Sequence, residues 1–194
     1  MPPKIPLEPG HSYHIYNRGN NRDLLFREEE NYHYFLRLAQ KHVVPIADVY
    51  AYALLPDHFH FMVRIKDEEE LAQMNITTGQ KVSSKFGHWF NAYAKAYNKR
   101  YNRVSSLFEK NFERSLLSDE SHFLRILFYI HWNPQKHKYL KDYRDWPYSS
   151  YQALLSDAPT FLARTQLLEW FGGKDGFIQA HDAYLSDLND DWEP

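Results

Sequence analysis

Two histidines and, much later in the chain, a tyrosine and an asparagine are the residues whose types and spacing point to chemistry. His58 and His60 stand two apart in LLPDHFHFMV. Successive strand side chains point to opposite faces, so both imidazoles project from one side and Phe59 from the other. Two imidazoles held this way offer a preset pair of nitrogen ligands for a divalent cation. The alternative is a pair of half-buried strand histidines that bind nothing. Tyr129 and Asn133 stand four apart in YIHWNP, which is one turn of a helix, so they share a face. A phenol and an amide beside a His-x-His pair suit a metal-assisted nucleophile. His58, His60 and the Asn133 oxygen would hold Mg²⁺ or Mn²⁺, and the Tyr129 oxygen would attack a phosphodiester and keep the DNA as a phosphotyrosine. That bond conserves the energy of the broken ester, so a second strand end can later displace the tyrosine. A phenol, with its pKa near 10, needs the metal or a nearby base to help it ionise. His131 lies two residues from Tyr129, on a different face, and reads as a packing or capping histidine. A hydrolase built on His58, His60 and His131, with Tyr129 dispensable, is the competing chemistry.

These groups need elements to position them. Ala47 to Ile65 reads as two strands joined by a tight turn at Pro56-Asp57, with Phe59, Phe61 and Val63 on the core side of the second. His11 to Tyr16 reads as an earlier strand. It runs into the Gly/Asn-rich turn NRGNNRD, where Asn17 and Arg18 are candidates to touch a phosphate. His11 and His14 are three apart, a helical rather than a strand spacing, and read as non-ligands. Glu28 to His42 is an amphipathic helix with acids in its first turn. Glu68 to Met74 is a short helical piece. The longest helix spans Gln80 to about Asn102, where Phe86, Trp89, Phe90, Tyr93, Tyr97 and Tyr101 form one stripe suited to a core. Phe112 to Leu117 is a further strand. Ser118-Asp119 caps a helix that is apolar nearly all round, and Pro134 is expected to stop it at Asn133. The order of strand, helix, strand, strand, helix, strand, helix predicts an α+β fold. It matches a ferredoxin-like split βαβ sandwich, with helices on one face of an antiparallel sheet plus the helix bearing Tyr129. Residues 1–155 would form this domain behind a short N-terminal arm. Trp146 and Pro147 would pack the following arm back on the body. Residues 156–194 would be a helical extension and acidic tail of the same single-domain protein, with no chemistry assigned.

At 194 residues the chain supports one sizeable core. Charged residues are 25% and hydrophobic residues 43%, ordinary values for a globular protein. The absence of cysteine excludes disulfides and thiolate metal sites. There is no membrane-spanning run and no hydrophobic signal region, so a cytoplasmic location is expected, nucleoid-associated when bound to DNA. A net charge of -2 gives no global nucleic-acid signature. The charge is uneven, however. Lys81 to Arg103 contains no acid, which makes Lys95, Lys99, Arg100 and Arg103, beside the aromatic stripe, candidate DNA contacts. Aromatics are 17%, a level that also suits a base-stacking RNA-binding module with no metal.

Five stretches in one order carry a resemblance. LLPDHFHFMV resembles the His-hydrophobic-His motif of the single-tyrosine HUH transposases, above all the REP-associated tyrosine transposases. YHIYNRGNNRDLLF resembles that family's first strand and turn. NKRYNRVSSLFEKNFERSLL resembles the segment before its fourth strand, FYIHWNPQKHKYL its catalytic-tyrosine helix, and DWPYSSY the tail that follows. The likeness covers roughly Ser12 to Leu155. It implies the ferredoxin-like fold, His58 and His60 as metal ligands with Asn133 completing the shell, and Tyr129 as nucleophile. The implied activity is cleavage and rejoining of single-stranded DNA near hairpins or repeats, with a 5′-phosphotyrosine and a free 3′-hydroxyl. Such proteins occur as monomers and dimers, so a homodimer is one implied partner. A domesticated, catalytically silent DNA-hairpin-binding protein on the same fold is the alternative. Where many relatives carry a Trp-Glu-Gly-Arg type sequence, this chain has Phe108-Glu109-Lys110-Asn111.

Overall fold

A computed structural model describes residues 5–76, 79–109 and 111–186. The acidic tail read at Asp187 to Glu193, Lys110, and the start of the N-terminal arm lie outside the described residues. The elements run β1 (Ser12–Arg18), α1 (Glu29–His42), β2 (Ala47–Leu54), β3 (His58–Ile65), α2 (Glu68–Gln73), α3 (Gly79–Arg100), β4 (Glu113–Leu116), α4 (Glu120–Lys136), α5 (Tyr151–Leu155), α6 (Arg164–Trp170) and α7 (Lys174–Ser186). The strands form one sheet in the order β2-β3-β1-β4. Each neighbouring pair is antiparallel. This is the ferredoxin-like split βαβ order expected from the sequence.

Strand alternation sorts the side chains onto two faces of the sheet. Phe59 and Phe61 of β3 meet α1 and α3, with ring centroids of Phe59 4.9 Å from Phe35 and of Phe61 4.9 Å from Trp89. The Trp89 indole N–H donates to the Phe35 carbonyl (3.1 Å), which satisfies the one polar atom of a fully buried side chain. The stripe predicted on α3 is therefore core. The other face carries His14, Tyr16, His58 and His60, and α4 lies across it. Behind α4 stand α5 and α7, with Leu154 and Phe177 fully buried.

The end of α4 departs from expectation. Pro134 lies inside the helix, which continues to Lys136. Proline removes one N–H and disfavours helical geometry in the residue before it. Here burial of every residue from Ile126 to Pro134 outweighs that local preference. The ladder resumes where the His137 N–H donates to the Asn133 carbonyl (3.0 Å). The start of the helix is as predicted, since the Asp119 carboxylate accepts from the His122 N–H (2.8 Å). Trp146 docks as expected, its indole N–H donating to the Leu54 carbonyl (2.9 Å), whereas Pro147 is exposed. Among the described residues no helix is long and apolar enough to cross a membrane.

Candidate active site

The β2–β3 turn is two residues long, with the Leu55 N–H donating to the His58 carbonyl (2.8 Å). A second loop clamps it. The Gly19 N–H donates to the Asp57 carbonyl (2.7 Å), and the N–H groups of Leu25 and Phe26 both donate to the Pro56 carbonyl. Gly19 is required there, because a Cβ at that position would fall 1.9 Å from the Asp23 carbonyl oxygen. The NRGNNRD segment thus holds the hairpin tip, and with it Asp57 and His58.

From this clamp β3 runs along the sheet centre. His58 is paired across the strands with Arg18, and His60 with Tyr16. Opposite them α4 presents His122, Ile126, Tyr129 and Asn133, which follow the three-and-four spacing of one helix face. Strand and helix enclose a cleft of about 350 Å³ lined by His14, Tyr16, His58, His60, His122 and Tyr129, among others. The Tyr129 ring stands edge-on to His60 (centroids 5.4 Å, 83°). The Lys136 ammonium lies 5.3 Å from the Tyr129 ring centroid.

Hydrogen bonding defines the lone pairs. His58 Nδ1 lies 2.6 Å from an Asp57 carboxylate oxygen, which can only accept. The proton of neutral His58 is therefore on Nδ1, and Nε2 carries a lone pair. That nitrogen faces Asn133 Oδ1 at 3.2 Å, so two acceptors face one another. His60 Nδ1 lies 2.9 Å from His14 Nε2, while His60 Nε2 is buried without a partner. The Asn133 amide nitrogen is buried and unpartnered as well. Acceptors turned toward one another and an orphaned imidazole nitrogen are the donor set a divalent cation requires. The carboxylate behind His58 is the usual support of a metal-bound imidazole. His58, His60 and Asn133 therefore fit the predicted metal. Among the described residues no cluster of three or more His, Cys, Asp or Glu is arranged for one, and the set here depends on an amide. Asn133 itself does not line the cleft; it is fully buried beneath His58.

His14 was read from its spacing to His11 as a non-ligand. The structure places it in the cleft, 3% exposed and stacked on His60 with centroids 5.0 Å apart. The informative neighbour was Tyr16, two positions on and therefore on the same strand face. Asp57 was read only as a turn residue. Its place directly before His58 was the available signal. Burial lowers the pKa of His14 to about 3 and that of His60 well below its ordinary value, so both are neutral at pH 7.

The candidate DNA contacts separate into two groups. Asn17 and Arg18 line the cleft, with Arg18 Nε 4.0 Å from the Asp57 carboxylate. Lys95, Lys99, Arg100 and Arg103 do not, because they belong to α3 and its end on the opposite side of the sheet. Lys95 and Lys99 are exposed. Arg100 pairs with Glu28, and its Nη2 donates to that carboxylate at 3.0 Å. Arg103 pairs with Asp23.

No protein-family model matches the chain. A protein of Haemophilus influenzae named as a REP-associated tyrosine transposase is 28% identical over 105 residues, 52% of this chain and 57% of that protein. The chain resembles REP-associated tyrosine transposases. Its match spans little more than half of that relative's length. A solved structure of a REP-associated tyrosine transposase bound to a REP hairpin is similar in fold, with a TM-score of 0.63 at 16% identity, covering 82% of this chain and 88% of that one. The sequence match bears out the resemblance read from the five motifs, and the structural match bears out the fold.

Proposed function

We propose that this protein is a single-stranded DNA endonuclease and strand transferase, a transposase that cleaves near DNA hairpins through a 5′-phosphotyrosine. The observation that carries this reading is that Tyr129, His58 and His60, from elements more than sixty residues apart, line one cleft, with Asn133 buried beneath His58 and with His60 Nε2 and the Asn133 amide nitrogen unpartnered. The names of the similar proteins, one of them bound to a hairpin, support the same substrate class. In this reaction the Tyr129 oxygen bonds to phosphorus and loses its proton. The bond from phosphorus to the 3′ oxygen breaks, and that oxygen takes up a proton as the free 3′-hydroxyl. Mg²⁺ or Mn²⁺ bound by His58, His60 and Asn133 would polarise a phosphodiester oxygen and stabilise the charge that develops on it. His14 and Asp57 keep the ligand imidazoles aimed, and the Asp57 carboxylate holds the proton of neutral His58 on Nδ1. Asn17 and Arg18 sit at the mouth to receive the backbone.

The test is covalent capture on a denaturing gel, with labelled hairpin DNAs and Mn²⁺. The wild type is expected to give a shifted band. Tyr129→Phe and the double variant His58→Ala/His60→Ala are expected to reduce it by on the order of a thousandfold or more. A band that survives Tyr129→Phe would remove Tyr129 from the role. Hairpin binding without any band from the wild type would establish instead the silent hairpin-binding reading.

A further inference from the structure

Aromatic rings continue outward from His58. His137 stands edge-on to it at 4.9 Å between centroids. Tyr139 follows at 6.4 Å from His137, then Trp146 at 5.8 Å from Tyr139 and Tyr148 at 5.7 Å from Trp146. Tyr148 is stacked on Tyr32 at 3.6 Å and 8°, which ties the far end of the row to α1. The indole N–H of Trp146, bonded to the Leu54 carbonyl, ties its middle to β2. Such anchoring fixes the rings before any ligand arrives.

A purely structural row would be covered, and this one is not. Tyr139 is 44% exposed, one of the few large apolar side chains left in water. It follows Lys138 at the end of α4, a residue with φ +59°, which turns the chain out of the helix. Lys138 and Lys141 on either side are exposed, and the Tyr139 phenol feels both the Asp57 carboxylate and, less strongly, the Arg18 guanidinium. Rigid aromatic faces flanked by cations are what unpaired bases and their phosphates recognise. The row also begins at a histidine of the cleft, so a strand on it leads to the reacting phosphate.

We propose that Tyr139 and Trp146 form a stacking platform for unpaired bases of the DNA strand next to the cleavage point, with Lys138 and Lys141 on its phosphates. This rests on the reading of the cleft as a DNA site. It goes further in assigning the single-stranded flank, as distinct from the hairpin, to the segment after α4. Stacking tolerates any base, because every base has a π-face.

The test is binding of fluorescein-labelled oligothymidylate, followed by anisotropy at low salt with the full chain. Tyr139→Leu is expected to weaken binding roughly fivefold or more, and Tyr139→Trp to restore it. The melting temperature of both variants should match the wild type, since the side chain is exposed. The platform is overturned if Tyr139→Leu binds as the wild type does, if Tyr139→Trp fails to restore affinity, or if the wild type does not bind. Because the assay involves no cleavage, failure of covalent capture alone would overturn the transferase reading and leave this one standing.

Discussion

Two buried histidine clusters lie on opposite sides of α4, and they differ in how completely their polar atoms are matched. Behind the helix, His131 and His181 are fully buried. Their ring nitrogens form a closed chain. The Tyr52 N–H donates to Ser150 Oγ (2.9 Å), and His131 Nε2 lies 2.8 Å from the same oxygen. His131 Nδ1 is 2.8 Å from His181 Nε2, and His181 Nδ1 donates to the Phe177 carbonyl (2.8 Å). One assignment of protons satisfies every atom with neutral rings. In front, no assignment of neutral rings satisfies His58 Nε2, Asn133 Oδ1 and His60 Nε2 together. Native proteins leave few buried polar atoms unmatched, and those that persist call for a ligand or a function. The same residue type, buried on both sides of one helix, is structural on one side and poised for chemistry on the other. The rear chain also bears on the front. Apolar packing tolerates rotation of a helix, whereas directional hydrogen bonds hold α4 at one angle and so hold Tyr129 toward His60.

The comparison breaks first at the rear. His131→Ala would leave Ser150 and His181 without partners and open a cavity, with an expected loss of about 3 kcal/mol of folding stability. Urea unfolding measures it. Acid attacks the same place. Burial lowers the pKa of His181 to about 4, against 6.5 for the free side chain. Between these values the unfolded chain takes up a proton that the folded chain refuses. Stability is therefore full above about pH 6.5 and is lost as pH falls, by about 2 kcal/mol at pH 5 for this one group. Unfolding curves for the wild type and His181→Gln, taken at both ends of that range, should differ by this slope. Equal slopes would remove His181 from the account.

How much of this was legible beforehand follows the range of the interactions. The sheet could be read because strand alternation and helical stripes are local, as Phe59 and Phe61 or Phe86 and Trp89 show. The pairing of His58 and His60 with Tyr129 and Asn133 came from motif spacing and resemblance; the first three line the cleft, and Asn133 lies buried against His58. What could not be read depends on contacts across the sheet. His14 reaches His60 only through the β1–β3 register. His181 lies fifty residues from His131, in a segment that seemed to hold no chemistry. The basic flank of α3 shows the reverse case. Its charge run was plain in the sequence, but the layer that α3 occupies was not, and that layer turns Lys95 and Lys99 away from the cleft.

The smallest effect sharpens the front. Asp57→Asn keeps the size of the side chain and its hydrogen bond to His58, but removes the charge. An amide nitrogen turned to His58 Nδ1 would donate, which drives the imidazole proton onto Nε2 and blocks the lone pair that faces Asn133. An amide oxygen turned there preserves the tautomer and loses only the charge. Both orientations weaken a cation held by His58, by about tenfold or somewhat more for an outer support of this kind. Isothermal titration with Mn²⁺ measures it. Folding stability should change little, because the amide can keep the hydrogen bond to His58 and the Asp57 carbonyl keeps its bond from the Gly19 N–H. A variant with unchanged Mn²⁺ affinity would mean that the Asp57–His58 bond serves the turn alone. The unmatched acceptors of the front cluster would then need an explanation other than a metal.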